Sequence, residues 1–127
     1  MNHTQNYLQS VTLDEVEIET MVNYVVLDSV QAGASDIHIE PWENTLAVRI
    51  RVTGVLMELI HLPLQLKEKV AGRFKVMANM ASHLSGIAQD GKVNMGAEFG
   101  GVQLRVSVLP TILGDKVVCR IFDPSSR

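Results

Sequence analysis

The chain has 127 residues, 46% of them hydrophobic and 20% charged, with a formal net charge of -3. That length supports one domain with its own core, and an acidic balance without a Lys/Arg cluster argues against nucleic acid as a partner. Apolar runs last only a few residues and the first ten are polar, so neither a membrane-spanning helix nor a secretory signal is expected. The single cysteine, Cys119, reads as buried packing in a reducing, cytosolic compartment.

Residues 1–12 carry no periodicity and are expected to be flexible. Thr12-Leu13-Asp14-Glu15 has the form of a capping box. Ile18, Met21, Val22, Val25, Val26 and Ser29 follow at helical spacing, and Gly33 stands where a helix commonly stops. This predicts a helix over 13–32. Residues 35–40 alternate as a strand does. Leu46, Val48, Ile50 and Val52 alternate with Ala47, Arg49 and Arg51 in a second strand. Thr53-Gly54 gives a tight hairpin turn, and residues 55–61 return as a third strand. Leu66, Val70, Phe74, Met77 and Met80 mark a second amphipathic helix over 64–80. Residues 81–88 read as an irregular connection and 89–91 as a turn. Residues 92–99 form a fourth strand, and Gly100-Gly101 turns into a fifth. The order helix, three strands, helix, three strands makes an α+β domain: a six-stranded, mostly antiparallel sheet with helices packed on one face. With aromatic residues at 5%, its core must rest on Val, Leu, Ile and Met.

The last two strands are read as Val102–Leu109, ended by Pro110, and Lys116–Phe122, entered from a Gly114-Asp115 turn. Each carries one arginine in an otherwise apolar setting, Arg105 and Arg120. An arginine keeps its charge and needs an anion, a carboxylate or water. On pattern alone the two are either surface residues on the wet face of a sheet or a paired site for a phosphate or carboxylate.

Asp36, His38 and Glu40 share one face of one strand, as metal ligands can. Same-face neighbours on a strand lie about 6.6 Å apart, whereas zinc holds its ligands within about 2.3 Å. A salt-bridged face meeting Arg49 and Arg51 is the better reading. No G-x-x-x-x-G-K-S/T loop occurs, and no nucleophile–base spacing suggests self-sufficient catalysis.

Gly33-Ala34-Ser35-Asp36-Ile37-His38-Ile39-Glu40-Pro41 closely resembles the second N-terminal domain of the type II secretion and type IV pilus assembly ATPases. The resemblance continues through Val48-Arg49-Ile50-Arg51-Val52, Gly54-Val55-Leu56, Arg73, Lys75-Val76-Met77-Ala78 and Gln89-Asp90-Gly91. It extends through Leu104-Arg105-Val106-Ser107, Leu109-Pro110-Thr111, Gly114, Val117, Val118 and Arg120, and so spans roughly residues 14–123. It implies a PAS-like domain over 13–123, with 124–127 beginning a linker to a RecA-like domain that carries the phosphate loop. It implies a homo-hexamer on the cytoplasmic side of the inner membrane, working with secretion or pilus platform proteins. ATP and Mg belong to that parent protein, and no cofactor belongs to this chain alone. The family's two phosphate-approaching arginines fall on Arg105 and Arg120. The departures are Thr53 where the family has an acid, Met57 where it has a base, and an uncharged Met80–Ala88 connection. The chain is then either an excised domain or a stand-alone relative. A stand-alone relative would be an adaptor binding a small ligand in its sheet cup, or a scaffold docking partners through its first helix.

Overall fold

The structure is a computed structural model that describes residues 2–124. Six strands form one sheet: β1 (Ala34–Pro41), β2 (Leu46–Val52), β3 (Val55–Leu62), β4 (Gln89–Asn94), β5 (Gln103–Thr111) and β6 (Gly114–Phe122). Their order is β3-β2-β1-β6-β5-β4, and every neighbouring pair is antiparallel. Two meanders, β1–β3 and β4–β6, therefore meet along the β1–β6 seam at the centre. The expected α+β architecture is the observed one.

Helices α2 (Ile18–Gln31) and α3 (Lys67–Met77) lie on one face of the sheet. Met21, Val22, Val25 and Val26 of α2 and Val70 and Phe74 of α3 meet Ile37, Ile39, Val48, Leu104, Val106 and Cys119. Phe74 is the largest fully buried side chain; the rest of this cluster is aliphatic or sulfur-bearing. Cys119 belongs to it, and burial pushes its thiol pKa up, away from reactivity. Among the described residues, no helix covers the opposite face.

The first correction falls at the N-terminus. Where no regular element was expected, His3–Ser10 form a helix, α1, docked on α2. Its signal was polar capping: Asn2 accepts from the Gln5 backbone N–H at 2.7 Å and the Gln5 side chain accepts in return at 3.2 Å. Its anchor is the buried Asp28. One carboxylate oxygen accepts from the His3 backbone N–H (3.0 Å), the other from the Thr4 N–H (2.9 Å) and Thr4 Oγ1 (2.6 Å). His3 stacks on Tyr24. Burial raises the Asp28 pKa, but the hydrogen bonds from Thr4 and His3 outweigh it and hold the carboxyl below its ordinary value.

Both remaining helices start later than their periodicity suggested. Thr12 closes only a 3₁₀ turn over Leu13–Glu15, with Glu15 Oε1 accepting from the Thr12 N–H at 2.8 Å. The chain is extended at Val16, and the Glu17 N–H donates to the Tyr7 hydroxyl at 2.8 Å, so α2 begins afresh at Ile18. Likewise a 3₁₀ turn at Leu64–Leu66 precedes α3, which stops short of Met80 because Asn79 turns left-handed (φ 62°).

Strand ends supply the other corrections. Thr53 (φ 48°) and Gly54 (φ 82°) make the expected tight hairpin turn, with the two positive φ values that a type I′ turn requires. Gln89-Asp90-Gly91, however, is strand. A Cβ on Gly91 would sit 2.5 Å from the Ala78 carbonyl oxygen, so glycine here permits close approach to the end of α3. β4 ends at Asn94 rather than Phe99, and a 3₁₀ turn over Ala97–Phe99 leads into β5. Pro110 does not stop β5. Pairing with β4 has ended at Val108, so no ladder donor is missed there. The β5–β6 turn is Ile112-Leu113; Gly114 and Asp115 already belong to β6. Of the expected linker 124–127, all but Pro124 lies outside the described residues.

Candidate functional site

Cross-strand register decides what the helix-free face displays. One row runs Arg51 on β2, Asp36 on β1, Arg120 on β6, Arg105 on β5 and Lys92 on β4. Arg105 and Arg120 are directly opposite one another, and Lys92 is directly opposite Arg105. Directly paired side chains have Cβ atoms about 4.5–5.5 Å apart, so three cations share one narrow strip. Like charges in direct register oppose folding, and nothing in the core needs them there. An anion reverses the sign of that interaction, and planar guanidinium forks suit a phosphate or carboxylate.

The acid in the row is Asp36, buried to 8% relative exposure. Oδ1 accepts from Arg120 Nε at 3.3 Å. Oδ2 accepts from Ser35 Oγ at 2.6 Å and lies 3.9 Å from Arg51 Nε. The Arg120 side chain is 66% exposed, and neither of its terminal nitrogens makes a hydrogen bond among the described residues. Arg105 is exposed and has no ion pair among them. A shallow depression bounded by Lys92, Gln103, Arg105 and Phe122 lies beside it.

The next row is mostly paired, although Arg49 Nε is buried without a hydrogen-bond partner among the described residues. Arg49 donates to Glu40 at 3.1 Å and lies over the Trp42 ring, and Ser107 Oγ donates to Asp90 at 2.6 Å. Half-buried between them, His38 has its pKa lowered by burial; the Asp36 charge pulls it back up, and Arg49, Arg51 and Lys116 push it down again. Asp36 and Glu40 thus form the salt-bridged face expected from their alternation, with His38 between them and Arg120 as an unforeseen partner. Among the described residues no three His, Cys, Asp or Glu side chains are grouped as metal ligands would be.

Sequence reading placed Arg105 and Arg120 on strands but could not place them opposite each other, nor bring Lys92 and Asp36 to them. The alternation of β4 carried a signal for Lys92, obscured by reading Gln89–Gly91 as a turn. A second charged assembly was missed outright. The buried Lys75 donates to Asp115 Oδ2 at 3.1 Å and to the Leu84 carbonyl, and Asp115 accepts from the Gly86 N–H at 3.2 Å. This joins α3, the 81–88 connection and the β5–β6 hairpin.

A family model described as "Type II/IV secretion system protein" matches residues 12–127. The chain is 38% identical over 116 residues to the type IV pilus assembly ATPase PilB of Myxococcus xanthus, covering 89% of this chain and 20% of that protein. It is 40% identical over 114 residues to the protein of the same name from Acinetobacter baylyi, again 89% and 20%. Against the type II secretion system ATPase E of Vibrio cholerae it is 35% identical over 113 residues, or 89% of this chain and 22% of that protein. The chain spans about a fifth of the length of the curated relatives it matches.

Proposed function

The chain belongs to the type II/IV secretion system protein family, and on that premise we propose that it is the non-catalytic PAS-like domain of a secretion or pilus-assembly ATPase, with Arg105 and Arg120 facing nucleotide phosphates held by a RecA-like domain. The observation that carries this reading is the direct register of Arg105, Arg120 and Lys92 on the face left bare of helices. Three cations in register fit the charge of a triphosphate, and a guanidinium fixed on a strand is placed more firmly than one on a loop. In the parent protein these groups would stabilise charge on ATP, whose hydrolysis drives protein export or pilus assembly. Domain closure that excludes water would strengthen them. Mg and the phosphate loop belong to the RecA-like domain, because this sequence has no G-x-x-x-x-G-K-S/T loop. The same reading makes the parent a hexamer at the cytoplasmic side of the inner membrane, docked on platform proteins.

The test is to replace Arg105 and Arg120, each by Lys and by Ala, in a full-length ATPase carrying this domain. Groups acting as arginine fingers are worth on the order of 10³–10⁵ in turnover, so kcat is expected to fall steeply while thermal stability changes little. Lysine should rescue poorly, because a point charge cannot replace the planar fork. Near-normal kcat in both alanine variants would return the two residues to an ordinary wet sheet face.

A further inference from the structure

We infer that Asp36 is a positioning residue for Arg120: it holds the guanidinium by its Nε and so turns the two terminal nitrogens outward toward an anion. The inference deepens the phosphate-facing reading above and rests on it. The carboxylate is suited to the task because it is itself fixed. It lies on the central strand β1, opposite Arg51 on one side and Arg120 on the other. Its residue is 8% exposed, and its second oxygen is occupied by Ser35 Oγ at 2.6 Å.

The Arg120 side chain is otherwise free to wander, being 66% exposed. Among the described residues, that side chain's one hydrogen bond runs from Nε to Asp36 Oδ1 at 3.3 Å. A guanidinium held at Nε keeps its end-on edge, Nη1 and Nη2, for a bidentate contact. Had Asp36 taken that edge instead, the arginine would be sequestered. Arg105 shares a depression with Asp90 but makes no ion pair among the described residues, so it lacks such a guide. The negative charge of Asp36 also offsets repulsion between Arg120 and Arg105, which face each other across the β5–β6 ladder. The row is thereby tolerable before any anion arrives. Loss of Asp36 should disorder Arg120 without removing a group that touches the anion.

Two measurements separate this inference from the reading it rests on. In the 127-residue chain, the Nε–H signals of Arg105 and Arg120 are followed by NMR, and pyrophosphate is then titrated in. Arg120 should show the slower hydrogen exchange and the more ordered Nε–H. Asp36→Ala should abolish that difference and weaken the pyrophosphate-induced shift at Arg120. Asp36→Asn keeps an oxygen acceptor and should retain part of the order; it carries the comparison if the alanine variant does not fold. Equal mobility of the two arginines in the unaltered chain, or an Arg120 signal indifferent to both substitutions, would overturn the inference. In the full-length ATPase, Asp36→Ala and Arg120→Ala should each lower kcat, with the double variant no worse than Arg120→Ala alone. A loss with Arg120→Ala but none with Asp36→Ala overturns the positioning role and leaves the phosphate-facing reading standing. No loss with Arg120→Ala removes that reading, and the role of Asp36 in it.

Discussion

Lys75 and Asp115 show how much one ionic contact can weigh when both ends are dry. Their side chains are 4% and 8% exposed and lie 3.1 Å apart. Removing one partner leaves an uncompensated buried charge, a loss of about 3–5 kcal/mol. Lys75→Ala and Asp115→Ala should each destabilise by that order in urea unfolding, and the Lys75→Met/Asp115→Leu double variant by far less than their sum. Additive losses would show that the two charges act independently. His38 supplies the pH-dependent counterpart. Its pKa is lowered from 6.5 by burial, so the unfolded chain takes up a proton first as pH falls. Stability attributable to His38 is therefore complete above pH 6.5 and declines below it, down to the lower folded-state pKa. His38→Gln should flatten that part of the stability–pH curve; an unchanged slope assigns it to other groups. Neither residue could be read from sequence in this light. Lys75 looked like one more basic position in the α3 pattern, because its partner is 40 positions away across a topology that sequence does not reveal.

Among the elements, α1 is held chiefly through Asp28, beside the stacking of His3 on Tyr24 and the bond from the Glu17 N–H to the Tyr7 hydroxyl. The Asp28 carboxylate receives the His3 and Thr4 backbone N–H groups and the Thr4 hydroxyl. Because its folded pKa is lowered, its contribution is present above the ordinary carboxylate range, about 3.9, and is lost as pH falls through the folded value. Asp28→Ala should cost about 1–3 kcal/mol for the unmade bonds and expose residues 3–10 to proteases at neutral pH. Protection equal to that of the unaltered chain would mean apolar packing of Tyr7 and Leu8 suffices. At the other end of α3, Gly91→Ala would press a Cβ to 2.5 Å from the Ala78 oxygen. Overpacking of this kind costs about 1–3 kcal/mol, read as a lowered Tm. An unchanged Tm would show that β4 simply shifts outward.

At the scale of the whole molecule, much of the fold was legible and the site only in part. Strict alternation in β2 and β5 and the 3.6 period of α2 and α3 reflect one buried face each, which a single sequence states directly. The α1 helix was not legible, because its sequence is polar and its stability comes from Asp28, 24 positions beyond Thr4. The cationic row was legible as residues but not as a row. Register across β6, β5 and β4 depends on where turns fall, and two of the three were misplaced by a few residues. The seam between β1 and β6 has one more consequence. The strand that leaves the ribosome first among the six must wait for the last before its second edge is covered, and Arg120 meets Asp36 across 84 positions. Until then β1, the richest in buried isoleucine, offers an open ladder to any passing strand. Such long-range closure is slow. A nascent chain arrested with β6 still inside the exit tunnel should bind a strand-seeking chaperone, and should release it once Phe122 emerges.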